Sequence, residues 1–354
     1  MSHVIRMVLF LIIIPGLIFP TVAAGPLTGQ DLPHVHIFAT GGTIAGTANS
    51  PTDLVHYTPG EIGVDTLIDS VPEIRNYAHV TGEQVCNINS DDITPAIWID
   101  LSERINAVLA DPGVDGVVVT HGTDTLEETA YFLNLAVHSD KPVVITGSMR
   151  PATALSADGP LNLLNAVQLA GSPDARRKGV LILLNGEING ARETTKTNTQ
   201  SVQTFRATDL GLLGYMEDGK PLIYRTSTRN NTASSAFNVT GMTTLPRVDI
   251  VMAYPGMDST AIDAFAAQGS QGLVIAAMGN GEYPAVIQSA LEAVAMKGIP
   301  VVISSRTGTG ITSVKDPRFI SADTLTPQKA RILLMLALTQ THDRERIMDM
   351  FRSY

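Results

Sequence analysis

At 354 residues the chain is long for one average domain and right for two, so a pair of globular units with sizeable cores is expected. With 44% hydrophobic and 16% charged residues, 30 glycines and 20 prolines, it is neither a disordered nor a coiled-coil chain but a globular one rich in tight turns. A net charge of −10 argues against a nucleic-acid partner, which needs a basic face to neutralise phosphates, and against an anionic membrane surface.

Residues 1–24 read as a cleavable signal peptide: Arg6 gives a positive start, Met7 to Phe19 is apolar but broken by Pro15 and Gly16, and Val22-Ala23-Ala24 supplies small residues for cleavage. A retained anchor would want about 20 unbroken apolar residues. Cys86 is the only cysteine, so no intrachain disulfide forms, and its apolar flanks suit a small buried residue better than a nucleophile.

After the leader, short runs rich in β-branched residues alternate with helical patterns, the signature of parallel strands with crossover helices. Strands are expected at His34 to Ala39, Gly116 to Thr120, Pro142 to Thr146 and Gly179 to Leu184, with helices at Leu126 to Val137 and Gly159 to Ala170. The second half repeats the scheme at Val248 to Ala253, Gly272 to Ala277 and Pro300 to Ser304. Thr326, as N-cap, and Pro327 open a last amphipathic helix to about Thr339. Thr226 to Thr244, rich in Ser, Thr, Asn and Ala, reads as a linker. The expected fold class is α/β in two domains: a larger N-terminal one over 31–225 with a mainly parallel sheet flanked by helices, and a smaller parallel C-terminal one over 245–354.

In such sheets ligands bind outside the carboxyl ends of the strands, so the residues just after each strand are the candidates for chemistry. The first strand runs into Thr40-Gly41-Gly42-Thr43, a glycine turn that exposes the Thr43 hydroxyl. A phosphate-cradling loop is the alternative, but neither a P-loop Lys-Ser/Thr pair nor G-x-G-x-x-G spacing is present. The second strand runs into His121-Gly122-Thr123-Asp124-Thr125, followed by Glu127 and Glu128. Thr125 with Glu128 fits a capping box, while Thr123 and Asp124 can face the cleft, the carboxylate suiting a substrate ammonium. The fourth leads to Arg192-Glu193-Thr194-Thr195-Lys196-Thr197-Asn198-Thr199. Lys196 there is open to two readings, a surface lysine or a cation that tunes a threonine hydroxyl.

These three segments, with Ser156-Ala157-Asp158-Gly159-Pro160 and Pro327-Gln328-Lys329-Ala330-Arg331, resemble the bacterial type II (periplasmic) L-asparaginase family from about residue 33 to Tyr354. The resemblance implies Thr43 as nucleophile, assisted by Tyr57 at the end of a lid over Thr47 to Tyr57, with Thr123, Asp124 and Lys196 as a second polar set. Ser90 would bind the α-carboxylate and Asp124 the α-ammonium. Gly42, Asp91, Ser148 and Asn280 complete the implied substrate site, Asn280 by reaching a neighbouring subunit. The implied activity is hydrolysis of L-asparagine, with L-glutamine as the alternative substrate, in the periplasm by a homotetramer that needs no cofactor or metal. The chain departs from the family at Thr307 to Phe319, where the glutamate partner of the lid tyrosine is missing and Asp316 is the only acid. A mixed glutaminase-asparaginase, an exported solute-binding protein and a transfer-RNA amidotransferase subunit are the alternatives, the hydroxyl and lysine set arguing against a pure binder and the leader against the last.

Overall fold

The computed structural model describes residues 32–354, so the signal-peptide segment lies outside the described residues. From Pro33 onward the chain packs as one compact unit with two main sheets and two small two-stranded ribbons. Strand β1 (His34–Gly41) leads through a hairpin lid, β2 (Thr47–Ala48) and β3 (Tyr57–Thr58), and helix α1 (Val64–Asp69) to β4 (His79–Ile88). Helix α2 (Pro95–Ala110) returns to β5 (Gly116–Thr120), followed by α3 (Leu126–Ala136), β6 (Val143–Thr146), α4 (Gly159–Ala170) and β7 (Val180–Leu184). Strand β8 (Glu187–Gly190) then turns back, a small ribbon of β9 (Thr195–Lys196) and β10 (Phe205–Arg206) projects, and β11 (Gly214–Glu217) and β12 (Lys220–Ile223) finish the large sheet. Its order is β12-β11-β8-β7-β6-β5-β1-β4.

Strands β4, β1, β5, β6 and β7 run parallel, and the remaining three are antiparallel. The parallel strands β5, β6 and β7 are buried throughout, which is why they read as unbroken apolar runs in the sequence. Helices α2 and α3 cover one face and α1 and α4 the other. Because the chain leaves β1 for β4 on one side and returns to β5 on the other, the strand order reverses at β1. The carboxyl end of β1 is therefore the switch-point crevice where α/β sheets bind ligands.

The second sheet is wholly parallel: β13 (Val248–Met252), β14 (Gly272–Ala277), β15 (Val301–Ser305) and β16 (Ile320–Ser321). Helices α5 (Thr260–Ala267) and α6 (Gln288–Met296) cover one face, and α7 (Pro327–Leu338) lies between the other face and α3. The apolar cluster around α3 and α7 is thus continuous from the large sheet to the small one. Helix α8 (Arg344–Ser353) packs beside α7. Residues 226–244 run largely over the surface but are pinned at points: Phe237 and Val239 are buried, and the Tyr354 hydroxyl accepts the Ala236 N–H at 2.7 Å.

Candidate active site

Three loops meet at the carboxyl edge of β4, β1 and β5. Gly42 has φ 79° and ψ −169°, a conformation open essentially to glycine alone. A side chain there would place its Cβ 2.3 Å from Gly122 Cα, and one on Gly122 would meet Ser90 Cβ at 2.8 Å. The two glycines therefore let the loops carrying Thr43, Ser90 and Thr123 touch backbone to backbone. Gly42 itself donates its N–H to the Ile88 carbonyl at 3.1 Å, tying the turn to the end of β4.

The Thr43 hydroxyl sits 2.7 Å from the Tyr57 hydroxyl, which β3 presents from the lid through the Ala48–Tyr57 pairing. The lid is docked at three points: the Thr47 hydroxyl bonds Glu61, Thr153 Oγ1 accepts the Ala48 N–H at 2.9 Å, and the Leu155 N–H reaches Pro51 O at 2.9 Å. Opposite Thr43, Lys196 Nζ donates to Thr123 Oγ1 at 3.0 Å and to Asp124 Oδ1 at 2.6 Å. The Asp124 carboxylate is largely exposed, so this ion pair adds little to stability and instead aims the ammonium. Thr43, Tyr57, Thr123, Asp124 and Lys196 line one cavity of about 500 Å³ with the lid residues Leu54 and Val55.

Ser90 stands directly behind this cavity, 2% exposed, accepting the Asp124 N–H at 3.2 Å on its hydroxyl and the Thr125 hydroxyl at 2.6 Å on its carbonyl. Thr125 is the N-cap residue of α3, but its side chain makes this bond and not the capping box with Glu128 that its spacing suggests. The competing carbonyl wins because the loop after β4 is already pressed against the helix start.

The other candidates lie elsewhere. Asp91 is exposed on the turn after Ser90 and does not line the cavity. Ser148 is fully buried, its hydroxyl donated to Arg150 O at 2.7 Å, and Met149 and Arg150 line the cavity in its place. Their loop is braced by Asp158, whose carboxylate accepts the Met149 and Arg150 N–H groups at 2.9 Å each. Asn280 follows β14 on the second lobe, bonded to Ser313 and away from the Thr43 cavity. Asp316 is paired with Arg318 at 2.6 Å, which holds its carboxyl down to about 2, and does not join Tyr57.

A buried chain of hydrogen bonds supports the Gly122 turn. His121 Nδ1 lies 2.7 Å from the Gly122 carbonyl, which can only accept, so Nδ1 carries the proton. Its Nε2 then accepts from the Thr129 hydroxyl at 2.9 Å, and Thr129 accepts from Trp98 Nε1 at 2.8 Å. Burial drops the imidazole to about 4, so it is neutral at ordinary pH. Cys86 is a half-buried thiol on β4 that burial pushes up, and its Sγ meets only the Thr40 carbonyl, at 3.4 Å.

Residues 34–229 match the model of the family described as asparaginase, N-terminal, and residues 247–351 that of the glutaminase/asparaginase C-terminal domain. L-asparaginase 2 of Bacillus subtilis is 47% identical over 331 residues, covering 92% of this chain and 88% of that one. The probable periplasmic L-asparaginase of Haemophilus influenzae is 45% identical over 330 residues, covering 92% and 94%. The crystal structure of a probable cytoplasmic L-asparaginase from Campylobacter jejuni superposes with a TM-score of 0.89 at 45% identity, covering 91% of this chain and all of that one.

Proposed function

The chain belongs to the asparaginase/glutaminase family, and from that membership we propose that it hydrolyses L-asparagine to L-aspartate and ammonia with Thr43 as the nucleophile. The observation that carries the proposal is the single cavity in which the Thr43–Tyr57 contact of 2.7 Å faces the Lys196–Thr123 contact of 3.0 Å. Thr43 Oγ attacks the side-chain amide carbon, and the Tyr57 hydroxyl relays its proton, accepting it from Thr43 while passing its own on to the departing amide nitrogen. N–H groups of the glycine turn and the Thr123 hydroxyl, its lone pair held by Lys196, stabilise the oxyanion. The amide nitrogen leaves as ammonia, and water cleaves the β-aspartyl ester to aspartate and free Thr43. Asp124 and Ser90 hold the α-ammonium and the α-carboxylate.

Ammonia release by Thr43→Ala and Thr123→Ala tests the assignment, with mass spectrometry of rapidly quenched enzyme locating the acyl group. The expected adduct is on the peptide containing Thr43, and Thr43→Ala loses turnover but still binds aspartate. An adduct on Thr123 overturns the order of roles.

A mixed glutaminase-asparaginase is the second reading. One methylene separates the two amides, a difference worth about 1–3 kcal/mol even in a fitted pocket, and a cavity of about 500 Å³ holds either. Near-equal kcat/KM on the two amides decides for this reading and against a strict asparaginase.

Export and assembly belong to the same proposal. Export rests on the leader-like sequence of residues 1–24 and on the periplasmic relative, although the matching crystal structure is of a protein named as cytoplasmic. Recovery from the periplasmic fraction of a Gram-negative host with an N-terminus near Gly25 supports it; an intact leader in the cytosol refutes it. Homotetramer formation is supported by the placement of Asn280, exposed on the second lobe and outside its own chain's cavity. Light scattering on the purified protein reads the mass directly, and a monomer with full activity overturns the shared-site reading.

A further inference from the structure

Lys196 can tune Thr123 only if its ammonium is held in place, yet its own secondary structure is slight. Strand β9 is two residues long and pairs only with the two residues of β10, a ribbon too small to be stable by itself. Its support comes from Glu127, in the first turn of α3 and only 4% exposed. One oxygen of that carboxylate accepts the Lys196 backbone N–H at 2.6 Å. The other accepts Gln328 Nε2, also at 2.6 Å, from the first turn of α7. Glu127 therefore ties the main chain of Lys196 to the same helix start that carries Thr123 and Asp124. The neighbouring Lys329, fully buried, donates Nζ to the carbonyls of Ala191, Arg192 and Thr194, fixing the stretch that leads into β9.

We propose that Glu127 and Gln328 are positioning residues for the amide hydrolysis proposed above: the Gln328–Glu127–Lys196 relay sets the Lys196 Nζ–Thr123 distance and makes it depend on the docking of α7. A carboxylate suits the middle position because it offers two acceptor oxygens to two N–H donors and nothing to repel either. The inference rests on the hydrolase reading and adds to it two residues that touch no substrate.

A charge swap tests it in the full chain. Gln328→Glu sets two carboxylates against each other and drives Glu127 off the Lys196 N–H. Displacement of a catalytic group by about 1 Å is worth up to about 100-fold in rate, so kcat for ammonia release falls about 10- to 100-fold. KM moves by less than about threefold, so the loss falls on the chemical step and not on binding. The double variant Glu127→Gln with Gln328→Glu restores complementarity: the amide oxygen accepts Lys196 N–H and the amide nitrogen donates to the new carboxylate. It regains kcat to within about fivefold, with KM unchanged. A Gln328→Glu protein as active as the parent overturns the proposal, as does a folded double variant that stays as slow as the single one. Where Gln328→Glu does not fold, Gln328→Ala, which deletes the bond without adding charge, lowers kcat with KM little changed, and full activity in that variant overturns the proposal. A parent chain that releases no ammonia from asparagine sinks the hydrolase reading, whereas an active parent indifferent to the swap sinks only the relay.

Discussion

Two residues show how the site's chemistry is built into its backbone. Gly42 has a φ of 79° with its Cβ direction filled by Gly122, so Gly42→Ala is strained and clashing together. The substitution should destabilise the protein by about 3 kcal/mol, read as a lowered urea midpoint at unchanged slope, and abolish turnover. His121 titrates near 4 in the fold against 6.5 unfolded, because burial disfavours its charged form. Between those values the unfolded chain holds a proton that the native one does not, so stability rises with pH there. The contribution is intact above about pH 6.5 and is lost as pH falls towards 4, by at most about 3 kcal/mol. His121→Gln should flatten that part of the stability-against-pH curve; a slope as steep as the parent's would show that other groups set it. Nothing in the sequence around His121 signals this role, since its partner Thr129 and the Trp98 that donates to Thr129 sit on two different helices.

At the scale of elements, legibility in the sequence follows burial. Strands β5, β6, β7 and β14, buried on both faces, stand out as apolar runs, and helices α3, α4 and α7 by their spacing and start signals. Strand β4 does not stand out, because it is an edge strand with no fully buried position and several polar residues, and the antiparallel β8, β11 and β12 are too short to show a period. Thr43 and Thr123 stand out as candidates because each lies just after a strand, whereas Lys196 reads equally well as a surface lysine until its contact with Thr123 is seen. Glu127, Gln328 and Arg150 are not, because what they do is decided by long-range contacts. The lid offers a further test. Thr153→Val removes the acceptor for the Ala48 N–H and loosens β2, so limited proteolysis should cut within residues 48–56 several times faster. KM for asparagine should rise with it, and a cleavage rate equal to the parent's counts against docking by Thr153. Lys329→Met leaves three carbonyls without a donor at the root of β9 and should lower stability by about 3 kcal/mol.

Across the whole molecule, the two sheets share one apolar cluster through α3 and α7. The polar stretch 226–244 is sewn onto that cluster by Phe237, whose ring lies 4.8 Å from that of Tyr354. The sequence suggests two separable lobes because each carries its own βα rhythm; the shared core is invisible there, since the faces of α3 and α7 that meet are both simply apolar. Unfolding of the intact chain should accordingly be one cooperative transition by calorimetry, and residues 33–225 alone should give none. Two resolved heat-absorption peaks, or a cooperatively folding fragment, would show that the lobes stand independently.

The clasp of Gln328 and Lys329 on the loop before Lys196 has a consequence for how the enzyme is born. Ribosomes deliver Thr43, Thr123 and Lys196 long before residue 328. Until α7 emerges, the carbonyls of Ala191, Arg192 and Thr194 lack the Lys329 ammonium and the Glu127 carboxylate lacks its Gln328 partner. On the relay proposed above, a chain cut short before residue 328 should leave asparagine untouched, with activity switching on only when the last helices close over the first lobe.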